Sequence, residues 1–267
     1  MKPLLRVVAF LVVTVVLMAT CSNPPASSSK TSAQSPSKTT SPPGPDSMGV
    51  REGQERGGQV LEGRVLFEGS NIPRSTRVEN TTDPQDCETI QSLRNIIISR
   101  ENRGIKNVIL ALKGVPLPKD YRPPPSPLIL DNRDCQFEPH VAVLTTGSSI
   151  EAVNRDPIFH SVHLYGFLNV NLALGPNQAK SVQTVERPGY VIVKCDVHGW
   201  MQAFFRVDNH PFHSVSAADG SFRIENIPPG SYILEAWHEY FGEKELTVSI
   251  RADAPSRVTI DFRDQSP

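Results

Sequence analysis

The chain has 267 residues, with 27 Lys and Arg against 28 Asp and Glu, so its formal charge is −1 at pH 7 and offers no basic field for nucleic acid. Its 24 prolines, scarce helical periodicity and many short Val, Ile, Thr and Phe runs exclude an all-α or coiled-coil chain and indicate a β-sandwich or barrel. The length suits one or two domains.

Lys2 and Arg6 precede the apolar run Val7 to Ala19, the order of charge and hydrophobic stretch that begins a secretory signal. The run is shorter than the roughly 20 apolar residues a spanning helix needs. Residues 1–20 are therefore expected to be a signal peptide. The segment Leu17-Met18-Ala19-Thr20-Cys21 resembles a bacterial lipobox, with Thr20 where Gly or Ala is usual. That resemblance implies a lipid on Cys21, a membrane anchor through it, and a location in the bacterial cell envelope or periplasm. Well over half of residues 22–49 are Ser, Thr or Pro. Such a stretch buries too little apolar surface to offset its ordering entropy, and residues 21–58 read as a disordered tether.

From Gln59 the chain turns β-rich. Strands are expected at Gln59–Phe67, Asn95–Ile98, Asn107–Leu112, Leu128–Leu130, His140–Leu144, Ser149–Val153, Ser161–Leu164, Ser181–Thr184, Tyr190–Lys194 and Ala203–Val207. A helix is expected over Pro84–Leu93, capped by Asp83 with Pro at its first turn. Pro116–Pro127 reads as a loop, since proline gives a ladder no amide proton. A first β domain is expected over 59–208. A second β unit is expected over 209–263, where Ala218 to Ile224 and Ser231 to Trp237 flank a Pro228-Pro229-Gly230 turn. Its D-G-S-F and P-P-G-S-Y segments resemble the carboxypeptidase regulatory-like, transthyretin-type β-sandwich repeat, which implies fold and packing and no chemistry.

The cysteines are Cys21, Cys87, Cys135 and Cys195. With Cys21 lipidated, three thiols meet an oxidising compartment and one stays unpaired. Cys87 and Cys135 have undistinguished neighbours and are the expected disulfide, worth a few kcal/mol (about 2–4) in the loop-entropy view. Cys195 opens Cys195-Asp196-Val197-His198-Gly199-Trp200-Met201, a C-x-x-H-x-x-M loop behind an apolar strand. Thiolate, imidazole and thioether together suit copper cycling between Cu(I) and Cu(II), whereas structural zinc takes four nitrogen or thiolate donors. A second imidazole is wanted, and the segment Asn154 to His163 supplies candidates.

These two segments resemble the cupredoxins, the blue copper proteins of amicyanin and plastocyanin type. The resemblance implies a Greek-key β-sandwich and one type 1 copper, with His160, Cys195 and His198 as equatorial ligands and Met201 as axial ligand. Ser161 stands where the family has Asn, Phe159 where Pro is common, and Gly199 where Pro is frequent. Asp196, beside the thiolate, is expected to lower the reduction potential. His163, three residues from His160 on a strand, should face the other way. His140, His210, His213 and His238 are expected to pack or lie at the surface, and Trp200 to contribute to an apolar docking patch. The expected function is an envelope-anchored one-electron carrier, not an enzyme, exchanging electrons with redox partner proteins of the cell envelope and taking no small-molecule substrate. The alternatives are copper trafficking, or a β-sandwich binding module without redox role. A second copper centre is disfavoured, since the sequence has no H-x-H pair.

Overall fold

The computed structural model describes residues 58–263. The expected signal peptide, the lipid site at Cys21 and the tether up to residue 57 lie outside the described residues. Within them, short alternating runs build eighteen strands and one helical turn. In chain order these are β1 (Gln59–Phe67), β2 (Arg77–Glu79), α1 (Pro84–Cys87), β3 (Ile90–Ser92), β4 (Ile109–Lys113), β5 (Leu128–Arg133), β6 (Gln136–Glu138), β7 (Val141–Thr145), β8 (Ser148–Asn154) and β9 (His160–Gly166). Then come β10 (Val170–Leu174), β11 (Ala179–Val185), β12 (Gly189–Lys194), β13 (Gln202–Asp208), β14 (His213–Val215), β15 (Ser221–Ile227), β16 (Gly230–His238), β17 (Gly242–Ile250) and β18 (Ser256–Phe262). The all-β class expected from sequence is the class observed. Among the described residues no helix is long and apolar enough to cross a membrane.

Two hydrophobic cores organise the strands. The first lies between the sheets β10-β9-β12-β13-β7 and β11-β8-β5-β6. Strand period explains how they face: in β12, Val191 and Val193 point inward while Tyr190 and Ile192 are exposed. Each valine buried in this way contributes roughly 1.5–3 kcal/mol. The second core lies between β15-β1-β18 and β14-β4-β16-β17 and holds Leu61, Val65, Leu110, Leu112, Phe222 and Leu234.

This arrangement corrects the boundary placed at Asp208. In the second core β1 is the central strand, paired antiparallel to β15 and parallel to β18, and β4 lies between β14 and β16. A contiguous unit of residues 209–263 would lack an interior strand in both sheets and leave two strand pairs unjoined. From Gln59 the chain therefore contributes β1 and β4 to the second sandwich, builds the first, and returns. Where the two meet, Arg206 of β13 bonds Asp208 at 2.9 Å and reaches Glu235 of β16, whose carboxylate also accepts the Tyr190 hydroxyl at 2.9 Å. All these charges are buried with partners, as a low-dielectric contact requires.

The helix expected over Pro84–Leu93 stops at Cys87, because Glu88 adopts φ 58°, and Ile90–Ser92 pairs with β2 instead. Asp83 sits at the cap position with φ 53° but makes no side-chain cap bond. Of the expected strand Asn95–Ile98 only a bridge from Ile98 to Ile105 forms.

His238 in the second core gives a pH-dependent expectation. Its Nδ1 accepts the amide protons of Tyr240 and Phe241, at 3.2 and 3.4 Å, and its ring packs 4.9 Å from that of Phe241. Burial, with His140 nearby adding to it, lowers its pKa from the ordinary 6.5 to about 4, and the ring's bond to the Lys106 backbone does not offset this. The neutral ring is thus the folded form: its contribution is complete above pH 6.5 and is lost as the pH falls from 6.5 through about 4. Acidification over that window should cost roughly 3 kcal/mol through this group. Urea unfolding at pH 7 and pH 4.5 should show a smaller acid loss in His238→Asn than in the wild type. Equal losses would contradict the assignment.

Candidate metal centre

The first sandwich brings three donors to one end. His160 opens β9, while Cys195 and His198 lie in the turn between β12 and β13. The turn is closed by its own backbone: the Met201 N–H donates to the His198 carbonyl at 2.9 Å, and the Cys195 N–H to the Met201 carbonyl at 3.2 Å. Cys195 Sγ lies 4.0 Å from His160 Nδ1 and 3.7 Å from His198 Nδ1, and the two Nδ1 atoms are 3.0 Å apart. Both histidines and Met201 are fully buried, and Cys195 is 4% exposed. A thiol and two imidazoles spaced in this way all reach one point with bonds of about 2.0 Å to nitrogen and about 2.3 Å to sulfur. Met201 is buried in the same turn and the same core cluster. The donor set thus fits copper, and His160, Cys195 and His198 would hold it with Met201 beside them.

The nitrogen opposite each inward Nδ1 has a carboxylate. His160 Nε2 lies 2.8 Å from Asp156 Oδ2, and His198 Nε2 lies 3.2 Å from Asp83 Oδ2. A carboxylate only accepts, so each Nε2 carries the hydrogen and each Nδ1 offers its lone pair. Two such lone pairs at 3.0 Å repel unless a cation or proton lies between them, and without metal a proton held on Nδ1 is also the hydrogen that the Cys195 sulfur accepts. Burial pushes the Cys195 thiol up, but hydrogen bonds with His160 and His198 and from the Ser161 N–H outweigh it and lower the pKa to about 5. The thiolate is therefore the resting form at neutral pH, the form that binds metal. Burial pulls His198 down while the neighbouring Cys195 and Asp83 raise it, and the net direction is upward.

Ser161, shorter than the expected Asn, still ties the two ligand segments together. Its N–H donates to Cys195 Sγ at 3.4 Å and its hydroxyl accepts the Asp196 N–H at 2.7 Å. Position 199 has open space where a Cβ would stand, so glycine is not sterically required there. The Asp196 carboxylate is turned toward β9 and β10, where it accepts from Asn171 at 2.6 Å and lies 3.1 Å from His163 Nδ1. Burial raises its pKa, but His163, Asn171 and Tyr165 outweigh that and hold it below the usual carboxylate range. His163 is stacked on Tyr165 with centroids 3.9 Å apart, away from the donor cluster. His140 pairs with Glu239, and His213 with Asp208 at 2.8 Å.

The expected part for Trp200 is corrected. It is 6% exposed, and its indole N–H donates to the Cys135 carbonyl at 2.9 Å, so it packs the loop instead of meeting a partner. The apolar residues that do reach solvent beside the ligands are Phe159 and Val197. Cys87 and Cys135 form the expected disulfide and Cys195 is the free, buried thiol among the described residues. Sequence reasoning took Asp83 for a helix cap and gave Asp156 no part. Only the fold shows Asp83 at His198, 115 positions away. A second acidic cluster, Glu235, Glu243 and Glu245, already holds the Lys113 ammonium, 2.6 Å from Glu245.

No protein-family model matches the chain, and no curated protein matches it. Among solved structures it is similar to a Cu-containing nitrite reductase from Thermus scotoductus SA-01, at 20% identity and TM-score 0.29, over 35% of this chain and 25% of that one. It is also similar to a reduced tryptophan-to-tyrosine mutant of amicyanin, at 21% identity and TM-score 0.27, over 30% of this chain and 79% of that one. A Cu(I) methionine-to-alanine mutant of amicyanin aligns at 17% identity and TM-score 0.27, over 37% of this chain and 97% of that one. The chain thus spans a quarter of the reductase and most of amicyanin. At these scores the likeness bears on neither the metal nor the activity, which rest on the chain's own residues.

Proposed function

We propose that the protein is a cupredoxin-type one-electron carrier with a single type 1 copper held by His160, Cys195 and His198, with Met201 as the weak fourth donor. The observation that carries this reading is the convergence of a thiol and two inward Nδ1 atoms in a site with no exposed donor. Bound copper would supply a one-electron couple between Cu(I) and Cu(II). The chain's part is to keep the donors in place in both states. The closed turn from Cys195 to Met201, which joins β12 to β13, and the bridge from Ser161 of β9 do so, since these strands belong to the first core. Burial of every donor leaves no open position for a substrate, which supports a carrier over an enzyme.

In this reading Phe159 and Val197, each next to a ligand and exposed, are where a redox partner approaches. The partners are proteins of the bacterial cell envelope, and the lipid on Cys21 with the tether to residue 58 holds the protein at its membrane. The second sandwich, with its resemblance to the carboxypeptidase regulatory-like repeat, serves packing. Film voltammetry of the copper-loaded protein tests the function. A carrier gives one reversible one-electron wave that persists over repeated cycles. A wave that decays as copper leaves on reduction would contradict it and favour copper trafficking.

A further inference from the structure

We infer that Asp83 and Asp156 are positioning residues for the two imidazoles, and that the Cys87–Cys135 disulfide is the clamp that holds both carboxylates. The inference deepens the metal-site reading and rests on it. Both rings are fully buried, so each Nε2 needs a partner within the protein. The partners are carboxylates from different parts of the chain, Asp156 for His160 and Asp83 for His198.

Each carboxylate is anchored at one half of the disulfide. The carbonyl of Asp83 accepts the Cys87 N–H at 2.9 Å, so the turn that carries the carboxylate ends on the bridging cysteine. Asp83 spends its side chain on His198 and not on capping that turn. On the other side, Asp156 Oδ2 accepts the Cys135 N–H at 3.0 Å and Oδ1 accepts the Asp134 N–H at 2.8 Å. Asp134 and Cys135 both have φ 53°, a left-handed pair that turns successive amides toward one acceptor. The Cys135 carbonyl in turn receives the indole of Trp200, which stands between His198 and Met201. The bridge thus joins the anchor of one carboxylate to the anchor of the other and to the ligand loop. A disulfide that served only stability would need none of these contacts.

The test compares wild type, Asp83→Ala, Asp83→Asn, Asp156→Asn and the double variant Cys87→Ser/Cys135→Ser. Substitution replaces chemical reduction, since a thiol reductant would also reduce copper. Three readouts are taken: copper loss to a chelator, the unfolding midpoint, and the histidine tautomers of the metal-free protein by nitrogen NMR at pH 8. In wild type both imidazoles should show hydrogen on Nε2. Asp83→Ala should release His198 from that tautomer and speed copper loss by about 10–100-fold. Its unfolding midpoint should fall by no more than the loss of one buried hydrogen bond, since the Asp83 side chain is 38% exposed and its removal opens Nε2 to water. Asp83→Asn, which keeps an acceptor oxygen for its one partner, should restore much of the effect. Asp156→Asn should instead release His160, because both Asp156 oxygens accept backbone N–H groups and an amide nitrogen in either place meets a donor. The double cysteine variant should perturb both rings. Copper loss within twofold of wild type in Asp83→Ala, with an unchanged tautomer, would overturn the inference. A wild type that forms no thiolate-to-copper band would sink the copper reading instead, and the tautomer spectra would still decide whether the carboxylates position the rings.

Discussion

Cys195→Ser is expected to abolish the thiolate-to-copper charge-transfer band completely while leaving the protein folded. The change exchanges one buried sulfur for an oxygen of similar reach, in a place where the Ser161 N–H and two imidazoles already offer partners. Its effect on electronic structure is total, because the band belongs to the sulfur alone. A serine hydroxyl stays protonated near neutral pH, whereas burial opposed by His160, His198 and Ser161 leaves the Cys195 pKa at about 5. Copper should bind the variant more weakly, through the two imidazoles, with the ordinary pale colour of nitrogen-ligated Cu(II). Visible absorption with far-ultraviolet circular dichroism checks both halves. A surviving intense band would mean that Cys195 is not the ligand.

Much of this site was legible in the sequence because its donors are local. Cys195, His198 and Met201 occupy one turn of seven residues, and the turn follows a strand whose alternation is plain in Tyr190 to Lys194. His160 needed a motif, since nothing local shows that β9 pairs with β12 and brings His163 opposite Lys194. Asp83 was out of reach for the same reason: it and His198 meet only when α1, the disulfide and the ligand loop are all in place. Asp156 lies only four residues before His160, and what the sequence does not show there is the bend that turns its carboxylate onto the ring. Asn95–Ile98 misled because Ile96 and Ile98 pack into the second core without a full strand partner. The boundary at Asp208 failed on topology. A turn-rich motif marks where β15 and β16 lie, but not that β1, far earlier in the chain, fills the gap between β15 and β18.

Asn154→Ala is expected to be the most destabilising single change near the site, at about 3–5 kcal/mol. The Asn154 side chain is fully buried at the end of β8. Its amide donates to the carbonyls of Ile158 at 2.8 Å, Gly175 at 3.0 Å and Leu174 at 3.1 Å, two protons shared among three acceptors. Its oxygen accepts the Asp156 N–H at 3.0 Å. Truncation leaves those groups unpaired inside the protein and frees the loop that sets both Asp156 and His160. Asn154→Asp should not rescue, because a carboxylate would face three carbonyl oxygens without a proton to give them. Urea unfolding, read beside copper affinity, should show both stability and metal binding reduced. A loss below about 1 kcal/mol with unaltered copper binding would show that the loop holds its shape without this residue.

The two carboxylate-backed imidazoles and the low thiol pKa converge on one claim, that His160, Cys195 and His198 hold a single copper through one sulfur and two Nδ1 atoms. Electron paramagnetic resonance of the wild-type protein loaded with one equivalent of Cu(II) tests it most directly. The expected result is one species with the narrow copper hyperfine splitting of a thiolate-delocalised spin, lost in Cys195→Ser. A wide splitting of the kind given by nitrogen and oxygen ligands, unaffected by that substitution, would contradict it.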